Sequence, residues 1–262
     1  GEKEDNTNFP SFTYDNNNVK ESMGSFTRIS SYDASIFSNE FILVDISKSY
    51  IQSGWFRNNG TSASYYTGFA SYDIDKKIID RNHVMFTSNT LTTLTHDLKN
   101  GDTIVYLNDA SRFQVNASTP TYRLGLIFWN YQDSTGYQYP PETYSRNCWV
   151  DLYLYSSINT INNTITLKVP WANGTIPAGT SVSQSNSGSV YNYSLLSNNT
   201  LTTDWQFKKI TITGVSTPWD ATGSSFRYGT KYIKFFSYDN HNNTPNTQTW
   251  YSGLQFVEES KY

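Results

Sequence analysis

The sequence predicts an all-β protein, a β-sandwich or jelly roll, carrying an inserted, smaller β subdomain. Three observations predict it. Aromatic residues make up 16% of the 262 residues and charged residues only another 16%, a balance that suits pleated, half-buried surfaces, where flat rings and β-branched side chains pack well. No long window of Ala, Leu, Glu and Lys repeats with a helical period. Short apolar or alternating runs instead follow one another, each closed by a turn signal, with no helical segment between them.

From Ile42 to Arg57 an apolar run is broken by "DISKS" and resumes with alternation, the pattern of two strands around a turn. In "SYYTGFASYD" the residues Tyr66, Gly68, Ala70 and Tyr72 alternate with Tyr65, Thr67, Phe69 and Ser71, and "DIDKK" turns the chain. Strand candidates follow at "HVMF", "DTIVYL", "YRLGLIFW", "CWVDLYLY", "TITLKV", "WQFKKITIT", "KYIKFFSY" and "YSGLQFVE". Within "IFW", Ile127 and Trp129 should share one face and Phe128 the other. Turn signals separate the runs at 99–101, 108–111, 161–163, 171–175 and 223–225. Residues 96–190 are richer in Pro and Gly turns and close with the polar "SVSQSNSGS". They read as the insert, residues 31–95 and 191–262 as its discontinuous host sandwich, and the Asn-rich residues 1–30 as a linker or arm.

Composition excludes several function classes. A net charge of −3 without a Lys/Arg cluster offers no basic patch for nucleic acid. The longest apolar run, "LGLIFW", is far short of the roughly 20 residues of a membrane helix, so no membrane insertion is expected. The single Cys148 rules out an intrachain disulfide framework and reads as a buried small hydrophobe. His83, His96 and His241 have no metal-ligand spacing. No phosphate-binding glycine loop, C-x-x-C or G-x-S-x-G elbow is present. "YDIDKKIID" has Lys77 at the third ligand position of a calcium loop and lacks its turn glycine, so it reads as a hairpin turn.

The run "SNEFILVDISKSYIQSGWFRNNGTSASYYTGFASYDIDKKII" (38–79) resembles the carbohydrate-binding-module-like jelly rolls of the galactose-binding-like group, in which a strand with a "V-D/P-x-x-K-x-Y" step leads into two strands and a "YD-x-D" hairpin. "DWQFKKITITG", "FRYGTKYIKFFSYDN" and "TWYSGLQFVE" look like the later strands of that architecture. The middle of the chain resembles an insert found in such domains on phage tail fibres, tailspikes and surface adhesins. The resemblance implies an extracellular, cell-surface or virion location, a glycan partner and a structural calcium ion. For that ion the closing strand departs from the pattern, with Gly253 and Leu254 where an acid is usual, which leaves Glu40, Asp45 and Glu258 as oxygen ligands.

The chemistry-bearing stretch is "LGLIFWNYQDSTGYQYPPETYSRN", where tyrosines crowd around Pro140 and Pro141. Those prolines bar a central strand, so the loop either packs over a core edge or presents a binding face. As a binding face it would stack sugar rings on Trp129, Tyr131, Tyr137, Tyr139 and Tyr144, with Asn130, Asp133, Glu142 and Arg146 reaching hydroxyls. Trp219, in "STPWDATGSS", is expected to be accessible, and Trp205 to be core. The function expected is a non-catalytic glycan-binding or adhesion module. The alternatives are a self-assembling subunit of a fibre or virion appendage and, if Asp133 and Glu142 converge, a polysaccharide-degrading enzyme.

Overall fold

The computed structural model describes residues 12–18, 20, 25–79, 87, 89–114, 125–130, 155–184, 191–216, 223–227 and 229–262. Its strands, in chain order, are β1 (Thr13–Asp15), β2 (Ser25–Ser30), β3 (Ala34–Phe37), β4 (Ile42–Leu43), β5 (Tyr50–Asn58), β6 (Ser64–Tyr72), β7 (Thr92–Thr93), β8 (Ile104–Tyr106), β9 (Leu126–Trp129), β10 (Tyr155–Asn159), β11 (Thr164–Leu167), β12 (Ser181–Gln184), β13 (Asn192–Thr200), β14 (Gln206–Ile212), β15 (Tyr232–Asp239) and β16 (Thr247–Glu258). Every pairing between these strands is antiparallel. The protein is all-β, and the one helical element among the described residues is the short 3-10 turn Glu259–Lys261. No helix among them is long and apolar enough to cross a membrane. The chain divides into two compact units, one of Gly1–Ile78, Tyr191–Val215 and Thr222–Tyr262, the other of Ile79–Val190 and Ser216–Ala221.

The first unit is a sandwich of two sheets, ordered β1-β2-β16-β5-β14 and β13-β6-β15-β3, with β4 beside β15. The pairing is nested. β2 pairs with β16, β3 with β15, β5 with β14 and β6 with β13, as in one long hairpin whose outgoing strands meet the returning ones in reverse order. Additional pairings of β16 with β5 and of β15 with β6 roll that hairpin into two sheets. The second unit enters between β6 and β13, at the hairpin's tip, where lengthening one connection costs only slowly growing loop entropy and interrupts no pairing.

Strand alternation fills the space between the sheets. Phe26, Phe56 and Tyr251 from one sheet meet Ile36, Tyr65 and Leu196 from the other, with the Phe56 and Tyr251 rings 5.2 Å apart, edge to face. A second cluster joins Tyr50 and Ile212 to Phe69, Phe226 and Ile233. Several polar groups that the pleat turns inward find partners, as burial favours, although Ser71 Oγ on β6 has none among the described residues. Gln52 reaches across to donate to the Gly68 carbonyl at 2.9 Å and accepts from the Ser194 hydroxyl. The Tyr65 hydroxyl meets Thr249 Oγ1 at 3.0 Å. Burial pushes that phenol up to about 12 from an ordinary 10.0. A phenol that keeps its proton better when folded contributes stability that is complete below pH 10 and is lost as pH rises toward 12. Urea midpoints of the wild type are therefore expected to fall across that window, and a Tyr65→Phe variant to show a shallower fall.

Two sequence expectations need correction here. The described part of the expected linker or arm joins the sandwich: Phe12 is buried in its core, and Thr13 to Asp15 pair with Ser25 to Thr27. The Asn-rich texture of this stretch masked the apolar spacing of Phe12 and Tyr14 and their partner Phe26 on β2. The insert also begins earlier than 96, because β7 pairs with β12 and Leu94 and Leu98 belong to the second unit's core.

That unit has two three-stranded sheets, β10-β11-β8 and β7-β12-β9. Leu98, Val105, Leu126, Phe128, Tyr155, Ile165, Trp171 and Val182 are buried together. Gly101 closes the "KNG" turn with φ +95°, a conformation that a side chain would strain. The alternation read from "LIFW" holds: Leu126 and Phe128 face this core while Ile127 and Trp129 form a separate buried pair.

Candidate functional site

Of the residues expected to bind a glycan, Trp129 is fully buried and donates its Nε1 proton to Ser183 Oγ at 3.0 Å. Its ring face is not offered to a ligand, which corrects its assignment as a platform. Asn130, next along the chain, is exposed and adopts the left-handed φ of 50°. Tyr131, Asp133, Tyr137, Tyr139, Glu142, Tyr144, Arg146 and Trp219 lie outside the described residues. The expected calcium ligands are not gathered, and among the described residues no group of three or more His, Cys, Asp or Glu side chains comes together. Asp45 accepts from the Ser47 hydroxyl at 2.7 Å and backbone at 3.0 Å, which holds its carboxyl below the usual range. Glu258 accepts from Ser260 at 2.7 Å and Lys48 at 2.9 Å, and is lowered by both. Glu40 is exposed.

The most conspicuous surface of the first unit is the outer face of β2-β16-β5-β14, and strand period builds it. Because Gln52 and Phe56 of β5 point into the sandwich, Trp55 and Arg57 point out. Register then sets Phe207 of β14 opposite Trp55, and on the other side Trp250 of β16 opposite Arg57, with Thr27 beyond it. The Trp55 and Phe207 rings lie 5.0 Å apart. The Arg57 guanidinium lies over both Trp205 and Trp250, 5.1 Å and 4.3 Å from their centroids, and Lys20 Nζ lies 4.7 Å from that of Trp55.

Asp15 at the end of β1 and Asn18 beyond it tie this face down. Trp250 Nε1 donates to Asp15 at 3.0 Å, Arg57 to Asn18 Oδ1 at 2.6 Å, and Asn18 Nδ2 to Asp15 at 2.7 Å. Burial works against the Asp15 charge, but the hydrogen bonds from Asn18 and Trp250 outweigh it and hold the carboxyl below its usual range. Phe207 is 43% exposed, and Trp55 and Trp205 are half-buried. The sequence placed Trp205 in the core; it is instead a partner of Arg57 at this surface. Further along β14, Lys209 lies 3.9 Å from the ring centroid of Tyr262, which is 53% exposed.

Open rings beside fixed donors and acceptors can hold a ligand that has an apolar face and a polar edge. Sequence reading missed this face because its members come from strands remote in the chain. The available signal was the outward phase of Trp55 and Arg57, which acquires meaning only when register brings Phe207 and Trp250 alongside.

The opposite sheet is also rich in aromatics, but there the rings cover one another. Tyr191 stacks on Phe236 at 3.7 Å, Tyr66 meets Tyr193 at 4.7 Å, and His241 sits against Tyr66 and Tyr238. The Tyr238 hydroxyl donates to Asp33 at 2.7 Å, and that bond, with burial second, pushes the phenol up to about 12.

No family model matches the chain, and no curated protein matches it. Among solved structures, a protein titled "Family 16 Carbohydrate Binding Module-2" is similar over 95% of this chain and 86% of its own, at 8% identity and a TM-score of 0.31, a likeness too distant to carry that protein's properties over.

Proposed function

We propose that the chain is a non-catalytic carbohydrate-binding module, wound as a jelly roll, that binds glycans across the outer face of β2-β16-β5-β14. The observation that supports this is the set of open rings Trp55, Trp205 and Phe207 around a pinned Arg57. The C-H face of a pyranose stacks on such rings, and rigid side chains lose little entropy on binding. The nested strand order is the winding expected of a jelly roll. The resemblance of most of residues 38–258 to carbohydrate-binding-module-like jelly rolls, with a middle like the insert of such domains on tail fibres and adhesins, supports a location on a cell or virion surface, where the module would attach its parent protein to host glycans.

The test is a glycan array probed with the wild type and a Trp55→Ala, Phe207→Ala double variant, each shown folded by circular dichroism. Losing two stacked rings should weaken binding at least roughly tenfold. A Tyr137→Ala, Tyr139→Ala variant that loses binding while the first retains it would move the site to the insert. Silence of the folded wild type, with concentration-dependent polymers in light scattering, would favour a self-assembling subunit.

A further inference from the structure

The aromatic face carries charge of predominantly one sign. Lys20, Arg57 and Lys209 each rest on a ring at this surface, in a chain whose net charge is −3. Among the described residues, no carboxylate lies within 4.0 Å of any of the three: the ion pairs there are Arg28 with Asp239, Lys48 and Lys261 with Glu258, and Lys99 with Asp97. The carboxylate that shares the face, Asp15, is engaged by Asn18 and Trp250 instead.

Arg57 is half-buried, and its Nε makes no hydrogen bond among the described residues. That cation is held by two rings and an amide oxygen rather than by a direct carboxylate partner, so an anion brought to its open edge would gain a charge-assisted partner. A guanidinium held over two indoles and fixed by Asn18 is pre-oriented, and its planar fork matches the two oxygens of a carboxylate or sulfate.

We infer that this face takes acidic glycans, polysaccharides bearing uronate carboxylates or sulfate esters, with Arg57 as the anion-reading residue between the stacking rings and Lys20 and Lys209 flanking it. The inference rests on the proposal that this face binds glycans.

The test is titration calorimetry of the whole chain with polygalacturonate and its methyl-esterified form, and with dextran sulfate and dextran, at low and raised salt. The expected result is binding to one or both acidic polymers, weak or absent binding to their neutral counterparts, and weakening as salt rises. Which acidic polymer binds identifies the anion as carboxylate or sulfate. Arg57→Gln should lower that affinity roughly tenfold, with no rescue by Arg57→Lys, which keeps the charge and loses the fork. If Arg57→Gln does not fold, a Lys20→Gln, Lys209→Gln variant, altering two exposed side chains, should weaken acidic-polymer binding and its salt dependence. Equal binding of acidic and neutral polymers, or binding of neutral glycans alone, overturns the inference and leaves the glycan-binding face standing. Silence here and on the glycan array removes both.

Discussion

Gly68→Ala is expected to abolish folding of the first unit or to lower its stability by more than about 3 kcal/mol, beyond the usual cost of an added methyl group in a full core. Gly68 lies on β6, and a Cβ there would stand 1.8 Å from the Asn192 carbonyl oxygen and 2.7 Å from the Ser194 backbone nitrogen. Both obstacles are backbone, so no rotamer relieves them. The register shift between Asn192 and Leu196 lets β13 pass this close to β6, and Gln52 ties the two together through the Gly68 carbonyl and the Ser194 hydroxyl. Moving β13 away would break the pairing on which the tip of the nested hairpin depends. Urea denaturation read by near-ultraviolet circular dichroism measures the loss. A midpoint within experimental error of the wild type would show that the close approach is not there.

The second large effect is at Asp239. This carboxylate is buried, lies 2.6 Å from Arg28 Nη1, and accepts from the Tyr251 hydroxyl at 3.1 Å. Burial raises its carboxyl despite Arg28, so desolvation exceeds what the pair returns. Removing one member of such a pair still leaves the other charge unmatched. Asp239→Ala, which leaves Arg28 without charge partner and acceptor alike, should therefore cost about 3–5 kcal/mol, whereas Asp239→Asn, whose amide oxygen still accepts from Arg28, should cost distinctly less. Acid titration supplies a check on sign. A carboxyl raised by folding contributes stability that is complete below its ordinary 3.8 and is lost as pH rises above it. The wild type should show that declining component above 3.8, and Asp239→Asn should lack it. Equal costs for the two variants at pH 7 would contradict this account of the pair.

The all-β class was legible because alternation is local: Tyr65, Thr67 and Phe69 announce an inward face within one short run, and the core they join is where the period places it. Which strand lies beside which was not legible. The pairing of β2 with β16 joins the two ends of the chain, and nothing in either segment names the other. The candidate site shared that difficulty. Local density of tyrosine drew attention to residues 124–147, and of the ligand candidates there the structure describes only Trp129, which is core, and Asn130. The aromatic face is assembled from Trp55, Phe207 and Trp250, brought together by register alone. Phe207 illustrates why phase matters: in "WQFKKITIT" it looks like the core residue of its strand, yet pairing with Trp55 turns it outward, to 43% exposure.

Hydroxyl-radical footprinting of side chains, with and without a glycan that binds, tests the central proposal most directly because it reads ring accessibility residue by residue. Oxidation of Trp55, Trp205 and Phe207 should fall in the complex, while that of Tyr238, half-buried on β15 of the opposite sheet of the same unit, stays unchanged. Protection confined to tyrosines between 131 and 146, with Trp55, Trp205 and Phe207 oxidised as in the free protein, would contradict the proposal.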